Sequence, residues 1–353
     1  MNQSRLSLLE EWLCNYFKLD SITLKALTGD AGFRKYYRFS ISGQPYIAVD
    51  AIPDKSNNLA FVEIQQVLHQ QNINVPNIIT YDLAQGFLCL SDFGNALFSD
   101  LLTLDNMDAS YKEAIKLLPL IAGSAIPTNY KLPRYDADFV HLECNIFSEW
   151  LLGTHLNINL SEQERSQLHT CFTVLVGNAL EQPQVVMHRD FHSRNLMILN
   201  SSEVTQDLGA IQLGVIDFQD AVIGPITYDI VSLLRDCYVK WPNDKVTGLF
   251  QYFCQLMDIE NKYPNISQAQ WQRWFDLMGM QRHVKASGIF ARLYHRDDKT
   301  GYLQDIPLTL SYIVDISAKY SELSFLHDLV LHKVIPALAE KELKKVDTED
   351  HSL

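Results

Sequence analysis

The chain has 353 residues, 47% hydrophobic and 11% aromatic, enough to bury a large core and to form two domains or lobes. Forty-two acidic residues against 29 basic ones give a formal charge of −13, which repels nucleic-acid phosphates and anionic membranes, so neither is expected as a partner. Glu10 and Glu11 interrupt the apolar run a secretory signal needs, and no window is long and apolar enough to span a bilayer. The six cysteines are scattered without a C-x-x-C pair, which reads as reduced core thiols in a cytoplasm.

Leu6, Leu9, Leu13 and Tyr16 recur at helical spacing. From Ser21 to Ile52 the pattern changes to strands, SITLKAL, KYYRFSI and PYIAVDAI. LTGDAGFRK joins the first two, with Gly29 and Gly32 at its tip, and Ser42-Gly43 turns the second into the third. LAFVEIQQVLHQQ reads as a helix, NVPNIITYDLA as a turn and strand, and GFLCLSDFG as a strand entering a long helical remainder. Strands followed by helices predict an α+β, two-lobed plan, with a sheet-containing lobe over residues 1–92 and a larger helical lobe over 93–353. The charged tail KELKKVDTEDHSL is expected to fray.

The chemistry is concentrated in VVMHRDFHSRNLMIL, followed by LGVIDFQDAVIGP. His188, Arg189, Asp190 and Asn195 reproduce H-R-D-x-x-x-x-N, and four such fixed positions arise by chance in roughly two chains per thousand of this length. An apolar strand ending in Asp217 follows. The strands NLMIL and LGVID can pair across the intervening turn-rich segment and bring Asn195 and Asp217 to one side.

These segments resemble the kinase superfamily, and within it the aminoglycoside phosphotransferase-like small-molecule kinases. The resemblance implies the two-lobed protein-kinase-like fold, ATP and Mg2+ as cofactors, Asp190 as acceptor of the substrate hydroxyl proton, and Asn195 and Asp217 as metal ligands. Asp92-Phe93-Gly94 copies a kinase metal motif but precedes the catalytic loop, so chain order excludes it. Its place matches the hinge instead, where adenine meets backbone groups near Leu90 and Ser91. His295-Arg296-Asp297 is excluded because Tyr302, not Asn, lies five residues on.

YIAVDAI stands where kinases carry V-A-I-K, so Ala48 falls on the adenine-contacting alanine and Asp50 on the phosphate-binding lysine. A cation is then needed from elsewhere, and Arg34, Lys35 and Arg38 beside the glycine turn are candidates, against the reading of a solvated hairpin. Glu63 reads as a surface charge. Arg194 could meet the transferring phosphoryl group or form a structural salt bridge, and Gln219 and Asp220 could face sugar hydroxyls. Asp229 resembles the aspartate that fixes the catalytic loop.

In HLECNIFSEWLL, Glu143 shares an apolar face with Phe147, Trp150 and Leu151, so it needs a specific partner, either a salt bridge or a sugar. Arg282, Lys285, Arg292 and Arg296 share another helix face, either solvated or binding an acidic substrate; His283 reads as a core histidine. GDAGFRKYYRF, AVDAIPD, MHRDFHSRNLM and the long segments to Pro307 resemble the bacterial cell-wall amino-sugar kinases. That implies phosphorylation of the anomeric hydroxyl of N-acetylmuramate or N-acetylglucosamine in peptidoglycan recycling, the sugar 1-phosphate passing to a nucleotidyltransferase. A kinase of the same fold acting on an aminoglycoside or choline, and a pseudokinase motivated by Asp50, are the competing readings.

Overall fold

The computed structural model describes residues 4–27, 33–199, 211–258 and 262–350. Among them the strands are β1 (Lys25–Ala26), β2 (Arg34–Ile41), β3 (Gln44–Ala51), β4 (Ile78–Asp82), β5 (Phe87–Ser91), β6 (Gln184–Met187), β7 (Leu196–Ile198), β8 (Leu213–Val215) and β9 (Val222–Pro225). The rest is mainly helical, as the α+β reading predicts. Two compact units form, residues 1–132 with 188–221, and residues 133–187 with 222–353. This partition differs from a division at residue 92, because the catalytic segment is joined to the sheet-bearing unit.

In the first unit, β1 to β5 form one antiparallel sheet in the order β1-β2-β3-β5-β4. Ser42 (φ 50°) and Gly43 (φ 83°) close the β2–β3 hairpin, both at the positive φ that a two-residue type I′ turn requires. Register divides the sheet into two faces. Tyr37 pairs with Ala48, Lys35 with Asp50, Ala48 with Cys89 and Asp50 with Phe87. The helix Arg5–Phe17, capped by the Ser4 hydroxyl on the Ser7 amide, covers this face with Leu9 and Leu13, one helical turn apart. Both are fully buried, each contributing about 2 kcal/mol.

The other face carries Arg34, Tyr36 and Arg38, opposite Ala51, Val49 and Ile47. Helix Asn58–Gln70, capped by the Asn57 side chain on the Ala60 amide, sets Phe61 against Phe218, ring centroids 4.8 Å apart. β7 and β8 pair as expected, Leu196 opposite Val215. Bridges Asn74–Gly214 and Leu97–Met197 tie this ribbon to the unit. A Cβ at position 214 would lie 2.6 Å from the Phe93 ring, so only glycine permits that approach.

In the second unit, β6 pairs with β9, and the 30-residue helix Gln268–Asp297 packs with helices Ala137–Ile146, Glu162–Glu181, Tyr228–Leu234 and Ile306–Ser317. A π-helical stretch, Phe147–His155, continues the helix that the sequence predicts as one regular element. The helix Ile335–Asp350 extends into the charged tail segment.

Candidate active site

The segment from His188 to Asn195 is held by its own side chains. His188 is 1% exposed, and its Nε2 lies 3.0 Å from the Ile216 carbonyl. A carbonyl only accepts, so the proton sits on Nε2, and Nδ1 accepts from the Asp190 amide at 3.3 Å. Asn195 Nδ2 donates to the Asp190 carbonyl at 3.0 Å, and the Ile216 amide donates to the Asn195 carbonyl at 3.1 Å. With Leu196 opposite Val215, Asn195 and Asp217 emerge from the same end of the ribbon. Arg189 (φ 80°) and Asp217 (φ 64°) both occupy the left-handed region, a strain of about 1–3 kcal/mol each that the surrounding bonds sustain.

Charge is concentrated at this end. Loss of water on its protein side raises the Asp217 carboxyl pKa, the Gln219 hydrogen bond opposes this, and the charges of Asp190 and Asp220 raise it further. As a residue Asp217 is nevertheless exposed. Tyr36 is pushed up to about 12, first by desolvation, with Arg34 opposing and Asp217 and Asp220 reinforcing the shift. The β2 face is thus coupled to the carboxylates.

Among the described residues no group of three His, Cys, Asp or Glu could hold a metal unaided. Asn195 uses Nδ2 on the Asp190 carbonyl, leaving Oδ1 as a neutral oxygen donor at the ribbon end from which Asp217 also emerges. Two hard oxygen donors amid mutually repelling carboxylates fit a magnesium ion completed by phosphate and water oxygens.

The other expected site residues separate clearly. Gln219, 6% exposed, donates from Nε2 to Asp217 Oδ1 at 2.7 Å and so orients Asp217, while its buried Oε1 has no hydrogen-bond partner among the described residues. Asp220 is exposed, and Arg194 is half-buried in the short 3-10 turn Ser193–Asn195. Ala48 corrects the sequence reading: it is fully buried with Leu9 and Leu13, on the face away from Tyr36, and cannot meet adenine. Asp50 lies on that same face, in an ion pair with Arg5 at 2.5 Å. Lys35 is exposed and belongs to that face too, whereas Arg34 belongs to the face with Tyr36. Arg38 is committed to Asp92, Asn95 and the Gly94 carbonyl. Leu90 is 3% exposed, and the Ser91 amide is already donated to the Asn77 carbonyl at 2.9 Å. Gly29 and Gly32 lie outside the described residues.

Asp92-Phe93-Gly94 is a structural clamp, Asp92 paired with Arg38 and Phe93 seated on Gly214. Glu63 is buried, not a surface charge, and accepts from the Asn129 amide and side chain at 3.1 and 3.0 Å. In the second unit Glu143 is 2% exposed and accepts from Tyr135 Oη at 2.6 Å, Gln281 Nε2 at 3.0 Å and Lys285 Nζ at 2.7 Å. Three donors complete its core ion pair, so Glu143 is not a sugar ligand and Lys285 is not part of a solvated face. The Arg282 guanidinium carbon lies 4.9 Å from the Tyr228 ring centroid. His283 stacks on Tyr312 and is buried, the core role expected. At the second decoy, His295 faces His155 at 3.0 Å and Arg296 pairs with Asp297.

Sequence reasoning missed Tyr36, although the two-residue period of Arg34, Tyr36 and Arg38 marks one face. It also missed Arg5, whose link to Asp50 spans 45 residues and leaves no local signal.

Residues 23–259 match the profile of the Phosphotransferase enzyme family. The chain belongs to this family. This phosphotransferase is 35% identical over 308 residues to the N-acetylmuramate/N-acetylglucosamine kinase of Pseudomonas putida, covering 87% of each chain. It is 33% identical over 329 residues to the enzyme of that name from Neisseria meningitidis, covering 92% of this chain and 95% of the relative. Its fold resembles a Plasmodium vivax ethanolamine kinase (TM-score 0.64, 12% identity, 89% of both chains). It also resembles the choline kinase LicA from Streptococcus pneumoniae (TM-score 0.59, 11% identity, 88% of this chain and 99% of that one). The two-lobed kinase-like fold class of these small-molecule phosphotransferases is therefore that of this chain.

Proposed function

We propose that this phosphotransferase is an ATP- and magnesium-dependent kinase that phosphorylates the C1 hydroxyl of N-acetylmuramate or N-acetylglucosamine. The observation that carries the reading is the gathering of Asp190, Asn195 and Asp217 at one end of the β7–β8 ribbon. The relatives named for these two sugars, alike over nearly the whole chain, support the acceptor.

In this reading the hydroxyl proton passes to the Asp190 carboxylate as the sugar oxygen bonds to the γ-phosphorus, and the bond from that phosphorus to the departing ADP oxygen breaks. His188 and Asn195 hold the backbone of Asp190 so that its carboxylate keeps one position. Asn195 and Asp217 would hold magnesium, which neutralises phosphate charge when bound. Gln219 fixes the Asp217 carboxylate. The product is a sugar 1-phosphate, for which a nucleotidyltransferase is the chemically matched consumer, and the setting is cytoplasmic peptidoglycan recycling. Asp50 offers no ground for a pseudokinase, since it faces the N-terminal helix.

A coupled ADP-release screen over the two amino sugars, aminoglycosides and choline, with ATP and magnesium, tests the reading. Turnover of an amino sugar supports it; turnover of only an aminoglycoside or choline, or of nothing, overturns it.

A further inference from the structure

The nucleotide-phosphate cation has no occupant at the position that motif counting assigns to it. Asp50 is turned under the N-terminal helix, and its neighbours on the opposite face of β3, Val49 and Ala51, are apolar. Across the hairpin, Val49 and Ala51 pair with Tyr36 and Arg34. The polar groups of this face are therefore supplied by β2.

Arg34 is held but incompletely satisfied. One Nη2 hydrogen bond goes to the Asn57 carbonyl at 3.1 Å, and the guanidinium carbon stands 5.8 Å from the Phe61 ring centroid. Phe61 in turn packs on Phe218, the residue after Asp217, so one continuous contact runs from Arg34 to the carboxylate end of the ribbon. The enclosed Nε donor has no hydrogen-bond partner, and Arg34 has no carboxylate within ion-pair distance among the described residues. A guanidinium with an unfilled donor, held by a backbone carbonyl and an aromatic ring on the strand face that also carries Tyr36, is suited to a phosphate oxygen. Tyr36, two residues on and on the same face, is a neutral donor that feels the charges of Arg34, Asp217 and Asp220. It can donate to a phosphate without adding to the site's charge.

We infer that Arg34, with Tyr36 as its neutral companion, binds the nucleotide phosphates in place of the missing lysine. Lys35 and Arg38 do not. The inference rests on the kinase reading and deepens it by locating the phosphate cation on β2.

The test compares ADP with adenosine, which share the base and ribose and differ in phosphate. Calorimetry on the full chain should show Arg34→Gln lowering ADP affinity about 10- to 100-fold with adenosine affinity unchanged. Tyr36→Phe should lower ADP affinity about threefold, and Lys35→Gln should change neither. Unchanged ADP affinity in Arg34→Gln, or parallel loss of both ligands, overturns the inference. On the wild-type chain, ADP but not adenosine should protect Arg34 from phenylglyoxal, read by mass spectrometry; absence of that protection overturns it equally and needs no folded variant. A wild-type chain that binds neither ligand would refute the kinase reading itself, a different outcome.

Discussion

Arg5 and Asp50 form an ion pair at 2.5 Å, joining the N-terminal helix to the buried face of β3, and Arg5 also donates to the Gln85 carbonyl. A residue that counts as the phosphate-binding position in the linear motif is thus part of the scaffold. Strand period explains it: one step along β3 exchanges the face shared with Tyr36 for the face under the helix.

Asp50→Ala should therefore cost stability and spare the nucleotide. The Asp50 side chain is 5% exposed and that of Arg5 36%, so a loss of about 1–3 kcal/mol is expected. Denaturant unfolding should show it, while KM for ATP in the folded variant stays within about twofold of wild type, less than the loss of any phosphate-binding charge.

Asp190→Asn should lower kcat by about 100-fold or more, since the amide cannot accept the proton, while ADP still binds. Steady-state kinetics beside ADP calorimetry measures both. Wild-type kcat in the purified variant would contradict the role given to Asp190.

The two Asp-Phe segments should respond in opposite ways. Asp217→Ala removes a proposed metal ligand and should abolish magnesium-dependent turnover. Asp92→Ala deprives Arg38 of a partner, but Arg38 keeps Asn95 and the Gly94 carbonyl, so activity should persist with about 1–3 kcal/mol less stability. Magnesium titrations of both variants decide the matter, and the reverse pattern would exchange their assignments.

The segment proposed as catalytic was legible as a motif because order and spacing are properties of the linear chain: Asp190, Asn195 and Asp217 keep both, and the hydrogen bonds of His188 and Asn195 hold the backbone around Asp190. The hairpin at Ser42-Gly43 was legible for a local reason, its positive φ. What could not be read was decided at long range. Ala48 and Asp50 depend on a helix some 40 residues earlier, Glu63 on Asn129, and Glu143 on Lys285. A motif fixes residue types along a line, whereas the face a strand presents depends on what packs against it.

Acid should destabilise the fold through His283. Burial is the main reason its pKa falls to about 3; the bond to the Arg235 carbonyl opposes this, and the charges of Arg235, Arg282 and Lys240 reinforce it. A depressed folded pKa means that the unfolded chain binds the extra proton first, so this contribution is complete above about pH 6.5 and declines as pH falls towards 3. The slope has an upper limit of about 1.4 kcal/mol per pH unit. His283→Gln should flatten the stability profile in that window relative to wild type, as measured by urea unfolding at several pH values. An unchanged profile would contradict the buried neutral ring.

The most direct test of the central claim is the phosphorus–proton coupling pattern in the NMR spectrum of the product made from N-acetylmuramate or N-acetylglucosamine with ATP and magnesium. The C1 hydroxyl is the most acidic on the sugar and the easiest for Asp190 to activate, so the phosphorus should couple to the anomeric proton. Coupling to the C6 protons instead, or no phosphorylated product from either sugar, would contradict it.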